Sequence, residues 1–186
     1  MPDPIELTTA RLVLSTPTTA DVDAIHTACQ DPDIQRFTTV PSPYQRSDAE
    51  GFVRLVAEWW DSGAEYTWAI RDAAGLAGMI GLHGIRDSAA EIGYWVSAPA
   101  RGRGYVTEAA GAVLDFAFGP MRLERVEWRA VTDNPASAAA AQKLGFRYEG
   151  LLRKGLGRIG GGGARRDGHI AALLSTDPRT PQTWPL

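Results

Sequence analysis

Strand-like and helix-like patterns interleave along this chain, and that interleaving predicts a fold of the α/β class. Two observations carry the prediction. Residues 91–131 read as strand, arginine–glycine turn, helix, strand. Ahead of them, residues 66–71 and 76–85 read as two strands joined by the turn Asp72-Ala73-Ala74-Gly75.

In chain order, residues 11–15 read as a first strand. Thr19 or Asp21 can cap a helix carrying Val22, Ile25 and Ala28, which ends before Pro32. A polar link with Phe37, Pro41, Pro43 and Tyr44 follows. Ser47 and Glu50 then form a capping-box pattern ahead of Phe52, Val53, Leu55, Val56 and Trp59, the second helix. Tyr66, Trp68 and Ile70 alternate in the hairpin. The run Glu91-Ile92-Gly93-Tyr94-Trp95-Val96-Ser97 is apolar on both faces apart from one carboxylate, as a central strand buried on both sides would be. Val106, Ala109, Ala110, Val113, Leu114 and Ala117 then follow the spacing of one buried helix face. The next strand places Val126, Trp128 and Ala130 on one side and Arg125, Glu127 and Arg129 on the other. A short helix over 135–144 is closed by Gly145, and residues 146–151 and 169–175 read as the last two strands. The glycine- and arginine-rich stretch 155–168 is expected to be mobile, and residues 177–186 read as a tail.

A chain of 186 residues fits one domain with a sizeable core. Its formal charge of −3 suggests neither nucleic-acid nor membrane binding. The lone Cys29 excludes an internal disulfide and fits a reducing compartment. Met1-Pro2-Asp3-Pro4 lacks the basic start and apolar centre of a secretory signal, and no apolar run is long enough to span a bilayer. A cytoplasmic protein is the expectation. His26, His83 and His169 lack ligand spacing, so no metal site is implied.

The turn Arg101-Gly102-Arg103-Gly104-Tyr105-Val106 has the makings of an anion site. Glycines let the backbone approach a phosphate, the first N–H groups of the helix have no intrahelical partner, and arginines add charge. The same residues fit an ordinary strand–helix connection with surface arginines. A dinucleotide fingerprint shares Gly102-x-Gly104, with Glu124 at a suitable distance for a ribose. However, Thr107 takes its third glycine place and a hairpin precedes the turn.

Four stretches together resemble the Gcn5-related N-acetyltransferases, in particular their RimJ/RimL-like ribosomal-protein N-terminal acetyltransferase branch. They are Thr9-Ala10-Arg11-Leu12-Val13-Leu14, Glu91-Ile92-Gly93-Tyr94-Trp95, Arg101-Gly102-Arg103-Gly104, and Asn134-Pro135-Ala136-Ser137 with Lys143-Leu144-Gly145-Phe146. The resemblance implies a mixed sheet of six or seven strands, with about four helices on both faces, in a domain over residues 1–176. Strands 91–97 and 124–131 would splay apart to admit the pantetheine arm of acetyl-CoA. It further implies cofactor contacts at Trp95, Val96, Arg101, Gly102, Arg103, Gly104, Tyr105, Val106, Thr107, Asn134, Ser137 and Lys143. Val106 stands where the family usually has Gly or Ala, which crowds the turn.

For catalysis the resemblance points to Glu91 and Ser137. Glu91 sits among Ile92, Tyr94, Trp95 and Val96, where burial would raise its pKa towards that of a useful base. A structural ion pair and a substrate contact are the other readings. Glu91 would take the amine's proton through water, and a backbone N–H near Trp95 to Ser97 would hold the oxyanion. Relatives place a tyrosine general acid where this chain has Ala141, which leaves Ser137 to assist the departing thiolate. Asn134 followed by Pro135 is equally a plain helix start. Phe37, Tyr44 and Trp60 are candidates to line the acceptor pocket, Trp60 because Trp59 faces the core and neighbours on a helix do not share a face. The expected reaction is acetyl transfer to a primary amine, a protein N-terminus or a small molecule. The alternatives are a non-catalytic CoA-binding module and a larger acyl donor such as succinyl-CoA, drawn by the basic residues Arg153, Lys154, Arg158, Arg165 and Arg166. An exposed strand edge or tryptophan face leaves room for a homodimer.

Overall fold

The strand with two apolar faces lies near the middle of an eight-stranded sheet. The computed structural model describes residues 5–157 and 163–186. Its strands are β1 (Leu7–Thr8), β2 (Val13–Ser15), β3 (Tyr66–Asp72), β4 (Gly75–Arg86), β5 (Ala89–Val96), β6 (Arg125–Val131), β7 (Arg147–Leu156) and β8 (Arg166–Leu174). They lie in the order β1-β2-β3-β4-β5-β6-β8-β7. Every neighbouring pair is antiparallel except β5 and β6, which are parallel. The five α-helices are α1 (Val22–Ala28), α2 (Pro32–Phe37), α3 (Arg46–Ser62), α4 (Tyr105–Phe118) and α5 (Pro135–Lys143). None is long and apolar enough to cross a membrane.

Two counts exceed the expectation of six or seven strands and about four helices. The added strand is short: β1 pairs with β2 over only two residue pairs. The added helix is α2, in the link expected to be irregular. Asp31 accepts hydrogen bonds from the N–H groups of Asp33 and Ile34, and Pro32 occupies the first turn. The proline expected to stop one helix therefore starts the next.

Helices cover the sheet from both faces. Val22 and Ile25 of α1, Ile34 of α2, and Ala49 and Val53 of α3 pack with Ala69 and Met79 on one face. On the other, Ala109, Ala110, Val113 and Leu114 of α4 meet Ile80, Leu82, Ile92, Val126 and Trp128. Removing these apolar side chains from water stabilises the fold by about 25 cal/mol per Å² of surface buried. The first of the four resembling stretches has a clear job here. Thr9 Oγ1 and Arg11 Nε donate to Glu108 at 2.6 and 2.7 Å, tying the N-terminal segment to the first turn of α4.

Strand takes up both ends of the stretch expected to be a mobile loop. β7 runs to Leu156 and β8 begins at Arg166, with Lys154 N–H donating to Asp167 Oδ1 at 2.6 Å. Residues 158–162, with Arg158 and most of the glycine run, lie outside the described residues, as do Met1 to Pro4. Nor is 177–186 a free tail. Trp184 is 6 % exposed, donates its indole N–H to the Phe146 carbonyl at 2.9 Å, and packs 5.2 Å from the Trp128 ring. A buried tryptophan anchors a segment that has no periodic pattern to announce it.

Candidate functional site between the central strands

β5 and β6 pair only at their starts. Their register runs from Ala89↔Arg125 to Ile92↔Trp128 and then stops, although β5 continues to Val96 and β6 to Val131. The predicted splay is therefore present, and the groove it opens holds about 830 Å³. Antiparallel pairing alternates between residues that bond to the neighbour and residues that face away. Ser97 N–H donates to the Ala77 carbonyl at 2.8 Å, so the alternation gives Trp95 and Gly93 to β4. Tyr94 and Val96 are left with their main-chain groups turned towards the splay.

At one end of the groove stands the arginine–glycine turn. Gly102 and Gly104 have φ of 74° and 78°, values that strain any residue with a Cβ. Gly104 caps α4, whose first free N–H groups belong to Tyr105, Val106 and Thr107. These three residues, with Arg101, Gly102 and Gly104, line the groove. Arg103 does not, because its guanidinium turns to Asp72 at 3.1 Å. Arg101 is also paired, with Asp31 at 2.8 Å and Asp33 at 3.2 Å, and so fastens the turn to α2.

Further along, Asn134 accepts a hydrogen bond from Ser137 N–H at 3.2 Å and starts α5. Ser137 Oγ lies 3.0 Å from Tyr94 Oη and accepts from Trp128 Nε1 at 3.0 Å. The indole also reaches Tyr94 Oη at 3.1 Å. Burial pushes the Tyr94 phenol above its usual pKa, which keeps it protonated and able to donate. Asn134, Ser137 and Lys143 all line the groove, with Trp95 and Val96 of β5.

Glu91 lies on the other sheet face, at the root of the splay. It is 28 % exposed, lines the groove, and among the described residues accepts no side-chain hydrogen bond. Burial raises its pKa above the ordinary carboxylate value, with Glu127 adding to the rise and Arg129 opposing it. His83 faces it across β4, its own pKa lowered by burial.

The acceptor candidates fare unevenly. Phe37 lines the groove. Tyr44 is 4 % exposed in the small core under α1 and α3. Trp60 is buried too, with its indole donating to the Thr67 carbonyl at 2.9 Å and its ring edge-on to Tyr66 and Trp68. Trp59 is the less buried of the two adjacent tryptophans, the reverse of the expectation, because α3 turns position 60 onto the hairpin aromatics. Thr38, Val40, Phe52, Met79 and Leu156 line the groove without having been singled out. Leu156 came from the stretch expected to be a loop; the others carry no local signal that separates them from core or surface residues.

The groove is thus open between two parallel strands, with a glycine turn and a helix start at its mouth. Residues 11–147 match the family model described as acetyltransferase (GNAT) domain, and the chain belongs to that family. YoaA of Bacillus subtilis, described as an uncharacterised N-acetyltransferase, is 29% identical over 152 residues, covering 80% of this chain and 86% of its own. Two solved structures share the fold. RimJ of Mycobacterium smegmatis, in complex with CoA-disulfide, aligns with a TM-score of 0.80 at 21% identity, over 92% of this chain and 85% of its own. RimL, described as a ribosomal L7/L12 alpha-N-protein acetyltransferase in complex with coenzyme A, aligns with a TM-score of 0.82 at 20% identity, over 91% and 98%.

Proposed function

We propose that this protein transfers the acetyl group of acetyl-CoA to a primary amine by direct attack within a ternary complex, with Glu91 as the general base. The observation that supports this most is the placement of Glu91. It is a carboxylate of raised pKa, free of side-chain hydrogen bonds among the described residues, facing a groove whose other end is a glycine turn at a helix start. A lysine-type amine is almost wholly protonated near neutrality and must lose a proton before it can attack.

The residues present fit the cofactor. Gly102 and Gly104 leave the turn free of side chains where a pyrophosphate would approach, and the free N–H groups of Tyr105, Val106 and Thr107 point out of α4. Lys143 adds positive charge along the groove, whereas the Arg101 guanidinium is taken up by Asp31 and Asp33. Acetyl-CoA, once bound, supplies the activated thioester. Val96 N–H, turned into the splay, can hold the carbonyl oxygen as it gains charge, and Ser97 is excluded because its N–H is already used by Ala77. Ser137 Oγ–H is placed to assist the sulfur, steadied by Trp128 and Tyr94. The cytoplasm is part of this proposal, on the strength of the lone, buried Cys29.

The test is thiol release from acetyl-CoA over a panel of N-terminal peptides, polyamines, amino acids and aminoglycosides. Turnover with one class is expected, and it would identify the acceptor type. Glu91→Gln should lower kcat by about 10²- to 10³-fold, within the usual range for losing a general base, with acetyl-CoA affinity unchanged. Wild-type turnover in that variant at pH 7 would remove Glu91 from the role. Acetyl-CoA binding without turnover on any amine would instead point to a non-catalytic module, and preference for succinyl-CoA to a larger donor.

A further inference from the structure

β6 turns Arg125, Glu127 and Arg129 to the sheet face that also carries Glu91, and these residues join in an unbroken line of alternating charge. Glu149 on β7 accepts two hydrogen bonds from Arg125, at 2.7 and 2.6 Å. Arg125 Nε donates to Glu127 Oε1 at 3.0 Å, and Arg129 Nη2 donates to Glu127 Oε2 at 2.7 Å. The line ends with Arg129 Nε, 3.6 Å from Glu91 Oε2. That last contact differs from the others. Among the described residues the buried Arg129 Nε finds no hydrogen-bond partner, so Glu91 meets the cation as a charge and not as a bonded partner.

We propose that Arg129 is a positioning residue for Glu91, and that Glu127 acts through it by holding the guanidinium back from a full ion pair. This rests on Glu91 being the base. A base needs its oxygens free to take a proton, yet a carboxylate this enclosed needs a cation close by. A bidentate arginine would satisfy the second need and defeat the first, since it would occupy the lone pairs. Glu127 prevents that by keeping Nη2 for itself. Glu127 does not line the groove, so its effect on the reaction must pass through Arg129 or through its own charge. The charged and titratable groups facing Glu91 are therefore Arg129 and Glu127 from β6 and His83 from β4, with Glu65 behind His83.

The two variants should move the acidic limb of the pH profile of kcat/KM in opposite directions. Arg129→Gln removes the cation that favours the ionised carboxylate. Glu91 then needs a higher pH to lose its proton, and the limb should rise by about one unit, the lower end of what a near opposite charge contributes. Arg129→Lys keeps the charge and should recover at least half of that rise. Glu127→Gln removes a like charge and releases Arg129 towards Glu91, so the limb should fall by about half a unit while kcat drops.

Glu91→Gln is measured in the same series. If it keeps the wild-type limb, the base assignment itself has failed. If it loses the limb while Arg129→Gln and Glu127→Gln leave it unmoved, or move it the same way, the positioning role is overturned. A raised KM for the amine in Arg129→Gln with an unmoved limb would make Arg129 an acceptor contact instead. Should Arg129→Gln fail to fold, as judged by circular dichroism, the Arg129→Lys and Glu127→Gln profiles decide on the same criteria.

Discussion

The two ends of the groove are built from different materials. At the turn, what faces the groove is largely main chain: two glycines of positive φ and the first N–H groups of α4. At the root of the splay it is side chain, with Glu91, Arg129, His83, Tyr94, Trp128 and Ser137 drawn from four separate elements. A main-chain site is set by local geometry and tolerates many side chains around it. A site made of side chains depends on register, since shifting a strand by one residue turns each of them to the opposite face.

Substitutions can separate the two ends. Gly104→Val should be the most damaging to cofactor binding. A β-branched residue at a φ of 78° costs about 1–3 kcal/mol, and a turn that rearranges to escape that strain should weaken acetyl-CoA binding about tenfold or more. Calorimetry would measure it, and an unchanged Kd would show that the turn is an ordinary connection. Ser137→Ala should lower kcat about tenfold, the worth of roughly one hydrogen bond to a developing charge, with Kd unmoved. Equal loss in both quantities would place Ser137 at the cofactor and not at the leaving sulfur. Val106→Gly is the smallest of the three. It relieves the crowding at the turn but adds backbone freedom to the first turn of the helix, and these should offset to within about threefold in Kd.

The same division explains what the sequence made legible. The turn, the two central strands and the Asn134 start of α5 are local patterns, and all three stand where the chain predicted them, while the splay between the strands was implied only by the family resemblance. Glu91 was visible because a carboxylate breaks an otherwise apolar run. Its neighbours were not, because Arg129 and His83 come from strands whose pairing no local pattern states. Trp60 shows the limit of helix-face arithmetic. Positions 59 and 60 do point apart, but which of them meets the core depends on where the hairpin aromatics lie. Tyr44 shows the same limit, since a polar link supplies a core side chain that packs with Ile34 of α2.

The docking of Trp184 carries a consequence for synthesis. Trp128, whose indole holds Ser137, has its ring covered by a residue that leaves the ribosome after all eight strands have emerged. The sheet can be fully paired while the Trp128 ring is still uncovered, and only the arrival of Trp184 completes its packing. A nascent chain would thus pair its sheet before it covers the Trp128 ring, so that a chain ending near residue 176 would keep the strands but leave the Trp128 indole uncovered.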